Sequence, residues 1–146
     1  MTVDKHDLEL LAEVQRRVEG TREDEAAHIL DAVVEALGEL LTPEEALLVG
    51  PHLSDRLQRI LMASAQRHSY ESKLADFVEA VSWRENVGIE TAVMHAHAVC
   101  DAVIDALPLA VQLKLRDGLP TDVVQFLRGE SEPAVLKARR RTRPSA

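Results

Sequence analysis

Asp31-Ala32-Val33-Val34-Glu35-Ala36-Leu37 reads, seventy positions later, as Asp101-Ala102-Val103-Ile104-Asp105-Ala106-Leu107. Both strings set aliphatic residues three and four apart between acidic ones, the period of a helix with one buried and one wet face. The same offset aligns Thr21 with Thr91 and Ala26 with Ala96. Further on, Leu53 to Leu61 matches Leu119 to Leu127 at an offset of 66, so the second copy is four residues shorter before its last helix. The pattern predicts an all-α helical bundle built from two tandem repeats of a three- to four-helix unit. Neither copy is long enough to bury much core alone, so the two are expected to pack on each other.

Local signals divide the chain further. A first helix is expected from about Val3 to Val18, with Leu8, Leu11, Val14 (or Leu10) and Val18 on one face. Gly20 ends it, and Thr21 with Asp24 gives an acidic start to a second helix running to about Leu41. Thr42-Pro43-Glu44-Glu45 is a strong start signal, with Thr as N-cap, Pro at the first helical position and Glu45 closing a capping box. Another helix begins near Ser54 and carries Leu57, Ile60 and Leu61. Leu74, Phe77, Val78 and Val81 form the next stripe, which Asn86 to Gly88 break. Glu90 to Leu107 then reads as a long helix, and Pro108 ends it or restarts a short one. Leu119-Pro120-Thr121-Asp122 leads into Val123, Phe126 and Leu127. The expected organisation is repeat 1 over 1–63, a polar linker at 64–73, repeat 2 over 74–129 and a tail at 130–146.

This arrangement resembles domain-of-unknown-function family 2267 (DUF2267), over about residues 8–128. The resemblance rests on Phe77-Val78-Glu79-Ala80-Val81 at a repeat opening, on the Ala- and Val-rich long helix, and on Leu119-Pro120-Thr121-Asp122-Val123 at a repeat close. In the first copy the closing motif reads Leu53-Ser54-Asp55-Arg56-Leu57, without the Leu-Pro pair. The resemblance implies a helical-repeat fold and brings no established activity.

Composition bounds the rest. Of 146 residues, 46% are hydrophobic but only 3% aromatic, so Leu, Val, Ala and Ile must fill the core. The longest stretch without a formal charge, Thr91 to Cys100, is half of the roughly 20 residues a bilayer crossing needs. Asp4, Asp7 and Glu9 stand where a secretory signal would carry basic residues, and the single cysteine, Cys100, has no internal disulfide partner. The expected location is cytoplasmic, with no membrane insertion. Residues 130–146 hold Lys137, Arg139, Arg140, Arg141 and Arg143 against two glutamates, a net of +3; the formal −8 of the whole chain leaves −11 on residues 1–129. A body that acidic repels phosphate backbones and anionic membranes. The tail is expected to be disordered, either solvated, bound to nucleic acid, or docked on an acidic surface. No aromatic residue is interleaved there to stack on bases.

Most catalytic signatures are missing. The six glycines are never closer than eleven positions apart, which excludes a phosphate-cradling loop, and neither Cys-x-x-Cys nor His-Glu-x-x-His occurs. Glu25-x-x-His28 has the spacing of a bundle metal ligand pair, but at offset 70 its counterparts are His95 and Ala98, so the second pair of a di-metal centre is gone. His95, His97, Cys100 and Asp101 are dense in sequence and split by helix geometry. Rotation at 100° per residue sets Cys100 at the border of the apolar stripe as a half-buried thiol, His95 just beyond the other edge, and His97 with Asp101 on the polar face as a solvated pair. No catalytic residue, metal or cofactor is expected. The same rotation turns Trp83 nearly opposite the core face of its helix, where an exposed tryptophan is a natural partner anchor.

The expected function is a non-enzymatic protein-interaction or regulatory module working through Trp83 and neighbouring Arg84. Homodimerisation is a further reading of the exposed Trp83. The alternative is a nucleic-acid- or ribosome-associated factor that binds through Lys137, Arg139, Arg140, Arg141 and Arg143.

Overall fold

The computed structural model describes residues 5–68 and 74–127. All regular structure there is helical: α1 (Lys5–Arg17), α2 (Glu23–Leu40), α3 (Pro43–Val49), α4 (Asp55–Ala65), α5 (Leu74–Glu85), α6 (Ile89–Asp105), α7 (Leu109–Gly118) and α8 (Thr121–Leu127), with a 3-10 turn at Gly50–His52. The protein is all-α.

Local chemistry sets most helix ends. Thr42 accepts from the Glu45 backbone N–H at 3.2 Å while Glu45 accepts from the Thr42 N–H at 2.9 Å, the reciprocal box expected of that tetrapeptide. Ser54 caps α4 by accepting from Leu57 N–H. Gly20, at φ 81°, turns the chain after α1 in a conformation that costs glycine little. Asn86 takes the left-handed position after α5 at φ 59°, and Val87 N–H reaches back to Ser82 O in the 6→1 bond of a Schellman turn.

Some boundaries and faces differ from the sequence expectation. The start of α2 is capped by Arg22 without a side-chain bond, because the Thr21 hydroxyl donates instead to Val18 O. On α1 the inward pair is Leu10 and Val14, whereas Leu8 is exposed. Helix α4 runs through Ala65, two residues into the stretch read as linker, and Ser64 and Ala65 are buried there. Residues 69–73 of that stretch lie outside the described residues, as does the tail.

The two long helices form the centre. Helix α2 buries Ile29, Leu30, Val33, Val34 and Leu37; α6 buries Ala92, Ala96, Val99, Cys100 and Val103. Helices α1 and α5 each pack on both long helices, and α4 lies along α2. The chain's two phenylalanines meet edge to face, Phe77 of α5 against Phe126 of α8, with ring centres 6.1 Å apart.

Arginines tie the helices together on the outside. Arg56 of α4 donates twice to Asp7 of α1, at 2.9 and 3.1 Å, and once to Asp31 of α2 at 2.7 Å. Arg17 of α1 donates to Asp101 and Asp105 of α6 at 3.0 and 2.8 Å, and also holds Glu13 of its own helix. Arg84 of α5 and Arg67, just past α4, converge on Glu35 and Glu39 of α2. A fork-shaped cation that bonds two helices fixes their relative rotation more firmly than an isolated surface pair.

Candidate functional site

Three places hold chemistry that the core does not use up. The first is the outer face of α5. Trp83 is 85% exposed there, the largest hydrophobic side chain presented to solvent among the described residues. Helical rotation put it opposite the stripe of Phe77, Val78 and Val81, and those three are buried. Neighbouring Arg84 is partly exposed, and its guanidinium turns onto α2, bonded to Glu39 and 3.4 Å from Glu35.

The second is the corner where α5 hands over to α6. Glu85 is buried, and one carboxylate oxygen lies 2.6 Å from His95 Nδ1. Its other oxygen is buried without a partner. Burial pushes the carboxyl above the ordinary carboxylate value, against the opposing pull of His95 and of His28 from α2. His28 and Glu25 border the same depression, but no group of three or more His, Cys, Asp or Glu is arranged to hold a metal ion among the described residues. The Glu85–His95 pair escaped the sequence because its members flank the left-handed turn at Asn86.

The third is α6 itself, where the expected pairings change. Cys100 is not at the border of a stripe: it is 1% exposed, and burial, with Asp101 adding, pushes its thiol up to about 12. A neutral, buried thiol is no nucleophile. His97 and Asp101 form no solvated pair. Asp101 is taken by Arg17 of α1, while His97 lies edge-on to Phe126, ring centres 5.8 Å apart, with its Nε2 buried and unpartnered. Helices α1 and α8 close over a face that the rotation of an isolated helix leaves wet.

A family model described as an uncharacterized conserved protein, DUF2267, matches residues 8–126. The chain belongs to the DUF2267 family. No curated protein and no solved structure matches it.

The DUF2267 span opens inside α1 and closes inside α8, so it takes in every helix described above. It contains Trp83, Arg84, the Glu85–His95 corner and Cys100. It ends before Lys137, Arg139, Arg140, Arg141 and Arg143, which also lie outside the described residues. No single helix of the described DUF2267 fold is long and apolar enough to cross a membrane; α5 and α6 reach that length only together, and they meet at 102°.

Proposed function

We propose that this protein is a non-enzymatic interaction module of the cytoplasm that docks a protein partner through the outer face of α5, with Trp83 as the anchor. The observation behind this reading is the exposure of the chain's single tryptophan, at 85%, on a helix otherwise committed to the core. Tryptophan exposed at that level offers a large apolar area to a partner, and interface hot spots are enriched in it. Arg84 belongs to the same proposed surface, with its guanidinium steadied against α2 by Glu39. The non-enzymatic part of the reading is supported by the state of Cys100, whose buried neutral thiol offers no nucleophile.

The test is affinity capture with native protein and Trp83→Ala side by side, with nuclease in both. Loss of a defined partner with the variant, at unchanged thermal stability, supports the docking face. The same partners at the same yield from both proteins would sink it. Light scattering over a wide concentration range separates a homodimer from a foreign partner: a mass that doubles in native protein and not in the variant assigns the face to a second copy.

Charge supports a second reading. The net +3 of residues 130–146 beside −11 elsewhere suits a nucleic-acid or ribosome contact made by Lys137, Arg139, Arg140, Arg141 and Arg143. Removing residues 130–146 should then abolish a salt-sensitive association and leave any Trp83-dependent contact intact. Within either reading we take the fold to be a duplicated helical unit. In support, Asp31 and Asp101, seventy positions apart, each accept from an arginine of another helix.

A further inference from the structure

A cavity of about 270 Å³ opens among α2, α3, α6, α7 and α8. Its wall is almost wholly aliphatic, with Leu37 from α2, Val103 and Leu107 at the end of α6, and Leu127 from α8 among its residues; the neutral thiol of Cys100 also lies in it. Two long polar side chains reach this wall, Gln112 and Arg116, both from α7. Gln112 is committed, its amide nitrogen donating to Ile104 O at 3.0 Å and to Leu107 O at 2.9 Å. Arg116 is exposed and makes no ion pair or hydrogen bond among the described residues. Beside it α7 turns Leu109 and Leu113 outward, 69% and 41% exposed, and both border the opening.

An apolar chamber with one uncommitted cation on its wall selects a ligand with an apolar body and a single negative charge. We propose that this cavity binds a small aliphatic monocarboxylate, with the hydrocarbon among Leu37, Val103, Leu107 and Leu127 and the carboxylate paired with Arg116. Size excludes a helical peptide, which is about 10 Å across, and the volume lies just below the roughly 300 Å³ where drug-sized pockets begin. Charge selects against a phosphate ester: one cationic residue lines the cavity, while the −11 of residues 1–129 repels a doubly charged group more strongly than a singly charged one. The inference is independent of the Trp83 docking face, because Trp83 is not among the cavity residues.

Full-length protein titrated with decanoate by calorimetry tests it, with decanol as the uncharged probe of equal chain length. Decanoate should bind, and decanol about tenfold or more weaker. Arg116→Gln changes only an exposed side chain; it should lower decanoate affinity to the decanol level and leave decanol binding unchanged. The single thiol supplies a second readout, since the S–H stretching band of Cys100 shifts only when a ligand enters the cavity. Equal affinity for the two probes, full decanoate binding by Arg116→Gln, or heat without a shift of the thiol band would each overturn the assignment. So would a dimer that Leu113→Glu dissociates in a protein giving no heat with decanoate, which would give the cavity to a second copy.

Discussion

Helices α2 and α6 carry the same seven-residue pattern and end in different ways. Helix α2 continues through Gly38, and α4 lies so close that a Cβ at that position would stand 2.5 Å from Ser64 Cβ and 2.6 Å from Leu61 O. Seventy positions on stands Pro108, and α6 has already ended at Asp105. A missing side chain thus lets α4 seal the N-terminal half, burying Leu57, Leu61, Ser64 and Ala65. A proline, which cannot continue a helix, diverts the C-terminal half into α7, whose buried residue is Leu115. One residue at a helix end thus decides whether the space beside it becomes core or cavity.

The contrast can be broken experimentally, and the largest lever is the sealed corner. Leu61→Ala should cost about 2–5 kcal/mol in denaturant unfolding, because its site is closed on every side and cannot collapse. A cost below about 1 kcal/mol would mean that the α2–α4 seam is as loose as its counterpart. Gly38→Ala comes next. Alanine gains about 1 kcal/mol of helix propensity, but the clash costs about 1–3 and includes a backbone carbonyl that no rotamer change can move. A modest net loss is expected in the melting temperature, and a gain would show that α4 slides freely along α2.

The C-terminal half also buries a carboxyl, Glu85, that has no counterpart among the described residues of the sealed corner. Burial raises the Glu85 carboxyl, so the folded state holds a proton more tightly than the unfolded chain does. Glu85 therefore contributes stability that is complete below the ordinary carboxylate value and is lost as pH rises through its own raised value. Glu85→Gln cannot titrate, so stability-against-pH curves should show native protein losing ground to the variant over that rise. Parallel curves would return Glu85 to an ordinary surface environment. The smallest effect belongs to the lip of the cavity: Leu109→Ser should stay within about 0.5 kcal/mol of native, since the side chain is already in water.

What the sequence discloses here follows the range of the interaction. The Thr42–Glu45 box and the outward turn of Trp83 are legible because each depends on a few neighbouring residues and on the helical period. The all-α class is legible for the same reason. Arg56 to Asp7 and Asp31, and Arg17 to Asp101, are not, since each joins residues that only the assembled bundle brings together. His97 and Cys100 depart from the helical-wheel expectation for one reason: rotation about a single helix says which faces differ, not how many neighbours cover them. The bond from Arg84 to Glu39 is likewise invisible from α5 alone, because α2 supplies the carboxylate. The cavity left no signal, being defined by aliphatic residues that read as ordinary core.

Because Trp83 faces solvent in the native state, its indole surroundings change little when the chain unfolds. The protein is therefore nearly blind, in tryptophan emission, to its own denaturation, and its melts have to be followed by helical circular dichroism. The same blindness makes that emission a clean signal for anything else. A blue shift on mixing, with the helical signal constant, reports that the one indole has been covered, without a label and without a background from the core.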